Sequence, residues 1–171
     1  MSFNKNATKR LSLVAGISRE STEITDIVNE LVKEYLCGIL RQAAIICSFT
    51  GKRTILVNDI QFLSQVCGNI PKIICPNNLS KITQVSIKNI ISNGYAVYTC
   101  KKPFFGLVRG LLDEMGNRHL RLGKNVVPLL QYLTEQEIIS IMIKAKILME
   151  LDGRDTLLLR DMSAIIKLRK S

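Results

Sequence analysis

One ten-residue phrase occurs twice in this chain, and it limits what the chain can fold into more than any other feature. Gly51 to Ile60 reads GKRTILVNDI, and Gly153 to Met162 reads GRDTLLLRDM. At a constant offset of 102 residues, Gly51 matches Gly153, Lys52 matches Arg154, Thr54 matches Thr156 and Asp59 matches Asp161. The same offset carries Arg19 to Arg121, upstream of the phrase in each copy. Between arginine and glycine lies one long apolar-periodic segment. This is a supersecondary unit written twice, and such units bury their apolar faces against their neighbours.

The local signals fill in each copy. Ala7 to Ala15 reads as a short basic helix ended by Gly16, and Ser21 is placed to cap the next helix. Ile24, Val28, Leu31, Tyr35, Leu36, Ile39, Ala43 and Cys47 then fall on one helical stripe. The stripe predicts a helix of nearly thirty residues, roughly 45 Å at 1.5 Å per residue. Gly51 stops it, a loop runs to Val57, and a short helix from Asn58 ends near Gly68. Asn69 to Leu79, with Pro71 and Pro76, reads as a linker. A modest helix over Lys81 to Ser92 and an extended stretch over Tyr95 to Thr99 come next. The second copy repeats the plan: a helix over Phe104 to Met115, a loop containing Arg121, a long helix capped by Asn125 and stopped by Gly153, and a last helix over Asp161 to Arg169. The expected division is 1–68, 69–101 and 102–171.

The expected class is all-α, because helix formers dominate and strand-length alternation is hard to find. A stripe of this length needs a second long helix to cover it, so the two copies are expected to cross head to tail as a pseudo-dimer inside one polypeptide. Antiparallel long helices would set Arg19 near Arg154 and Thr156, and Arg121 near Lys52, Arg53 and Thr54. With the N-termini of the short first helices, these ends would form cationic, donor-rich patches along one edge, a layout suited to phosphate.

Composition supports an acidic partner and excludes several classes. The net charge is +10 over 171 residues. Residues 69–101 hold no Asp or Glu at all. This balance suits nucleic acid, against the alternative of ordinary solubility charge. Five cysteines without CxxC spacing and a single histidine, His119, leave no zinc ligand set. No cofactor is expected. The odd cysteine count and the lack of an apolar leader read as an intracellular, non-secreted protein with reduced thiols. The most apolar run, Ile138 to Met149, is broken by Lys144 and Lys146 and is too short to span a bilayer. No glycine-rich phosphate loop or nucleophile–base pair points to an enzyme, and Cys37 and Cys47 lie on or beside an apolar stripe, where packing is the natural role.

The short–long–short helix repeat resembles the histone fold. KRLSLVAGISRES, YLCGILRQA and GKRTILVNDIQFL resemble core histone four. KKPFFGLVRGLL, LRLGKNVVPLLQYLTE and GRDTLLLRDM resemble core histone three. Histone four fused ahead of histone three is similar to the histone doublets of giant DNA viruses of the Marseillevirus type. The resemblance implies an intramolecular histone-four/histone-three pseudo-heterodimer and a nucleosome core component that wraps double-stranded DNA without reading its sequence. It also implies residence in a virion, viral factory or host nucleus. The alternative is a histone-fold subunit of a transcription or chromatin complex that pairs with partners without wrapping DNA.

The resemblance also implies roles. Arg19 and Arg121 match loop arginines that enter a narrowed minor groove, where negative potential is focused. Arg53, Thr54 and Thr156 match phosphate-contacting positions, and Lys52 lies beside them. Lys9, Arg10, Lys101, Lys102 and Arg109 match basic positions on or before the first helices. Arg154 and Asp161 match a structural salt bridge, and Lys52 with Asp59 is its weaker counterpart, since lysine lacks a bidentate fork. Leu148, Leu151, Asp161, Ala164 and Leu168 would form a four-helix bundle with a second copy. Ile46, Phe62 and Val66 would meet a histone-two-type doublet. The alternative for these apolar residues is the core of the chain itself. Asp155 sets a carboxylate beside the phosphate-facing loop, Leu13 and Gly106 replace basic positions, and long tails are expected to be missing. Together these departures imply weaker DNA binding than cellular histones show.

Overall fold

The structure, a computed structural model, describes residues 3–68 and 99–171. The expected linker over Asn69 to Leu79, the helix over Lys81 to Ser92 and all but the end of the extended stretch lie outside these. The regular structure of the described residues is helical apart from four two-residue strands. In order it runs α1 (Lys5–Val14), β1 (Arg19–Glu20), α2 (Ile24–Thr50), β2 (Thr54–Ile55) and α3 (Val57–Val66), then α4 (Lys101–Glu114), β3 (Arg121–Leu122), α5 (Val126–Leu151), β4 (Thr156–Leu157) and α6 (Leu159–Lys170).

The chain packs as two compact units. Among the described residues, one holds 34–68 and 99–133, and the other joins 3–33 to 134–171. Helices α2 and α5 each contribute to both units. The reason is the length of the stripe. Helices of 27 and 26 residues expose more apolar surface than the short helices of their own copy can cover.

In the Arg19 unit the core holds Leu11, Ile17, Ile24, Val28, Ile138, Met142, Leu157 and Met162, all buried. Helix α1 begins earlier than its apolar pattern suggests because Asn4 caps it, its Oδ1 accepting the Ala7 N–H at 2.8 Å. It ends where Gly16 turns left-handed at φ 79°, with the Ile17 N–H returned to the Ser12 carbonyl at 2.8 Å. Ahead of α1, the side-chain amide of Asn29 grips Phe3 from both sides. Its Oδ1 accepts the Phe3 N–H at 2.6 Å, and its Nδ2 donates to the Phe3 carbonyl at 3.2 Å.

In the Arg121 unit Leu36, Leu40, Ile55, Ile60, Val108, Leu112, Leu130 and Leu133 are buried. Both expected caps of the long helices need correction. The Ser21 hydroxyl is buried without a hydrogen bond, and it is the Ser21 carbonyl that takes the Ile24 N–H at 3.2 Å. Its own N–H bonds the Leu157 carbonyl at 2.9 Å, so strand pairing has drawn the residue out of capping position. Asn125 precedes α5, but in the left-handed region at φ 66°, not in the extended conformation a capping side chain uses.

Candidate nucleic-acid interface

The segments read as loops contain short parallel strand pairs. In the Arg19 unit β1 pairs with β4, with Arg19 opposite Thr156. In the Arg121 unit β2 pairs with β3, with Thr54 opposite Arg121. The two constructions share one design. Ser21 donates to Leu157 at 2.9 Å in one, and the equivalent Gly123 donates to Ile55 at 2.9 Å in the other. A further bond joins the Arg121 N–H to the Arg53 carbonyl at 2.8 Å. Each strand pair therefore holds an arginine of one copy beside a threonine of the other.

What the arginines do with their guanidinium groups separates them into two kinds. Arg19 and Arg121 are exposed, and neither side chain makes a hydrogen bond or ion pair among the described residues. Arg154 is fully engaged. It holds Asp161 through two bonds of 2.7 and 3.1 Å, Asp152 at 2.6 Å and the Thr156 carbonyl at 3.1 Å. Arg160 also reaches Asp152, at 2.5 Å. Asp161 in turn accepts the Leu158 N–H at 2.9 Å, which ties the second loop to the start of α6. Burial alone would push the Asp161 carboxyl up, but the Arg154 hydrogen bond, the Leu158 N–H and the cationic field bring it below the usual range. The bonds to Asp161 and Asp152 raise Arg154 in turn, and Arg154 and Arg160 lower Asp152.

The first copy carries a thinner brace. Lys52 reaches Asp59 through a single contact of 2.9 Å, and Asp59 accepts the Leu56 N–H at 2.8 Å. Nearby, burial and the Asp59 carboxylate push the Cys47 thiol up, against the opposing effect of Lys52. That suits the packing role expected of Cys47, which is 1% exposed.

Arg109 behaves unlike a free phosphate ligand. Its guanidinium donates to the Leu120 carbonyl at 2.7 Å and to the Arg118 carbonyl, and lies 3.5 Å from Asp113. It holds the loop that precedes Arg121. Lys9, Arg10, Lys101, Lys102 and Arg53 are exposed, while Thr54 and Thr156 are half-buried in the strand pairs. Lys101 and Lys102 occupy the first turn of α4, which has no acidic residue. Cations at the positive end of a helix dipole are unfavourable unless an anion joins them.

The expected assembly residues divide by exposure. Leu151 is 80% exposed and Leu168 68%, so neither belongs to a core within the chain. Leu148 and Ala164 are half-buried, and Asp161 is committed to its brace. Phe62 and Val66 are 54% and 64% exposed, with Ile46 half-buried. Phe49, at 89% exposed, is a residue that the periodicity does not single out. An aromatic residue lying off the apolar stripe of α2 is the available signal.

No protein-family model and no curated protein matches the chain. Among solved structures, the histone from Methanopyrus kandleri superposes with a TM-score of 0.58 at 19% sequence identity, covering 96% of this chain and 93% of that one. The chain therefore has an all-α, histone-like fold. Among the described residues no helix is long and apolar enough to cross a membrane.

Proposed function

We propose that this protein packages double-stranded DNA as a histone doublet, its two fused histone folds bending the duplex without reading its sequence. One observation carries the reading. At equivalent places in the two copies, Arg19 and Arg121 are exposed and unspent, while Arg109 and Arg154 nearby are consumed in holding their loops. Each of these arginines pairs in strand register with a threonine, a residue type that suits phosphate. The likeness to a histone over nearly the whole of both chains supports the histone-like fold on which this reading builds.

On this reading Lys9, Arg10, Lys52, Arg53, Lys101 and Lys102 add to the phosphate contacts, and Arg109 acts by fixing the loop of Arg121. A second copy docks on Leu148, Leu151, Ala164 and Leu168, and a histone-two-type doublet docks on Ile46, Phe62 and Val66. The resemblance to viral doublets carries the further proposal of a virion, viral factory or host nucleus as its place of work.

The test is reconstitution on duplex DNA with a histone-two-type doublet, then nuclease digestion. A protected fragment of defined length is expected for the parent chain and is expected to be lost on replacing Arg19 and Arg121 by alanine. A ladder without a plateau from the parent would favour a pairing subunit that does not wrap DNA.

A further inference from the structure

Beside β1 in the Arg19 unit a cleft of about 410 Å³ opens to solvent, lined by Gly16, Ser18, Arg19, Lys146, Glu150 and Asp155, among others. Lys146 stands out among these residues. It lies on α5, in the largely apolar run that it and Lys144 interrupt, and its side chain is 32% exposed. Its Nζ lies 2.9 Å from the point where a Cβ on Gly16 would sit, so the glycine leaves room for the ammonium. Its ionic contact, to Glu150 one turn on, is 3.5 Å. That is longer than the roughly 2.7–2.9 Å of a strong charge-assisted bond, and an ammonium has three donors to place. Lys146 therefore stands in the cleft with donor capacity to spare, in the same lining as the unspent Arg19.

We infer that this cleft receives a backbone phosphate of the duplex, with Lys146 as a second ligand beside Arg19. The inference rests on the DNA-packaging reading and adds a contact that the repeat does not contain, since Lys146 has no counterpart in the first copy: 102 residues upstream stands Ala44. The neighbouring carboxylates give the site its character. Glu150 holds Lys146 until phosphate displaces it, and Asp155 opposes the approach of any anion. The cleft is thus a phosphate site with built-in competition, which weakens binding and makes it readily reversible. The structural alternative is that Lys146 only complements the C-terminal pole of α1 at Gly16.

Binding of the full chain to duplex DNA, measured by fluorescence anisotropy across a salt series, separates the two. Lys146→Ala should weaken binding several-fold and reduce the slope of log K against log salt by up to about 0.9, the value for one phosphate contact. Glu150→Gln should do the reverse, tightening binding and steepening the slope. Thermal melts report folding of each variant, and if Lys146→Ala fails to fold, Glu150→Gln alone decides. Unchanged slopes in the folded variants, with parent binding intact, would overturn the inference and leave Lys146 as a helix-end brace. A parent chain that does not bind DNA at any salt would overturn both this inference and the packaging reading.

Discussion

Seven residues separate the partners in each loop brace, yet Arg154 and Lys52 grip their aspartates differently. Arg154 spans both oxygens of Asp161, whereas Lys52 touches one oxygen of Asp59. Lys52→Arg should supply the missing fork. Because Lys52 is 40% exposed, solvent screening limits the gain to about 0.5 kcal/mol, read from urea melts of the two chains. The depressed Asp161 carboxyl sets a pH dependence of definite sign. A carboxyl held lower in the folded state than in the unfolded one stabilises above its unfolded value, about 3.9, and that contribution is lost as pH falls through the lower folded value. Asp161→Asn should therefore lower Tm at neutral pH, with the difference from the parent shrinking below about pH 4. Thermal melts from neutral pH down into the acid range check this.

Helix ends show how much could be read from sequence. The two long stripes, the stops at Gly16, Gly51 and Gly153, and the seven-residue spacing of the braces are local patterns, so sequence alone exposes them. The strand pairs are not local: Arg19 meets Thr156 and Thr54 meets Arg121 across long stretches of chain. Only the repeat gives access to those neighbours, and it cannot reveal that two residues on each side pair as strands. Ser21 misleads because the same pairing takes its backbone away from helix capping. Arg109 resembles a DNA contact by position, but its carbonyl partners are fixed by loop geometry that no residue type encodes. The exposed ends of α2, α3, α5 and α6 carry a separate prediction. On the proposed assembly, Leu151→Asp should abolish self-association, while Phe62→Asp should spare it and remove binding to a histone-two-type doublet. Both sites are exposed, so each should change stability by no more than about 0.5 kcal/mol. Sedimentation velocity with and without the doublet distinguishes them.

At the scale of the whole molecule, the charge of +10 is spread among engaged and free groups, and only the free ones exchange counterions for phosphate. On the packaging reading, with Arg109 committed internally and Asp155 lining the cleft beside Arg19, DNA affinity should fall off less steeply with salt than for cellular histones, by roughly 0.9 in log–log slope for each contact forgone. A filter-binding titration of both proteins under one buffer measures the difference, and equal slopes would contradict it. The grip of Asn29 on Phe3 bears on how other proteins can address the stretch ahead of α1. A reader domain that recognises an extended peptide by adding it as a strand needs the peptide's own amide and carbonyl. At Phe3 both are already occupied by one side chain. A visiting domain must evict Asn29 before it can zip onto that backbone.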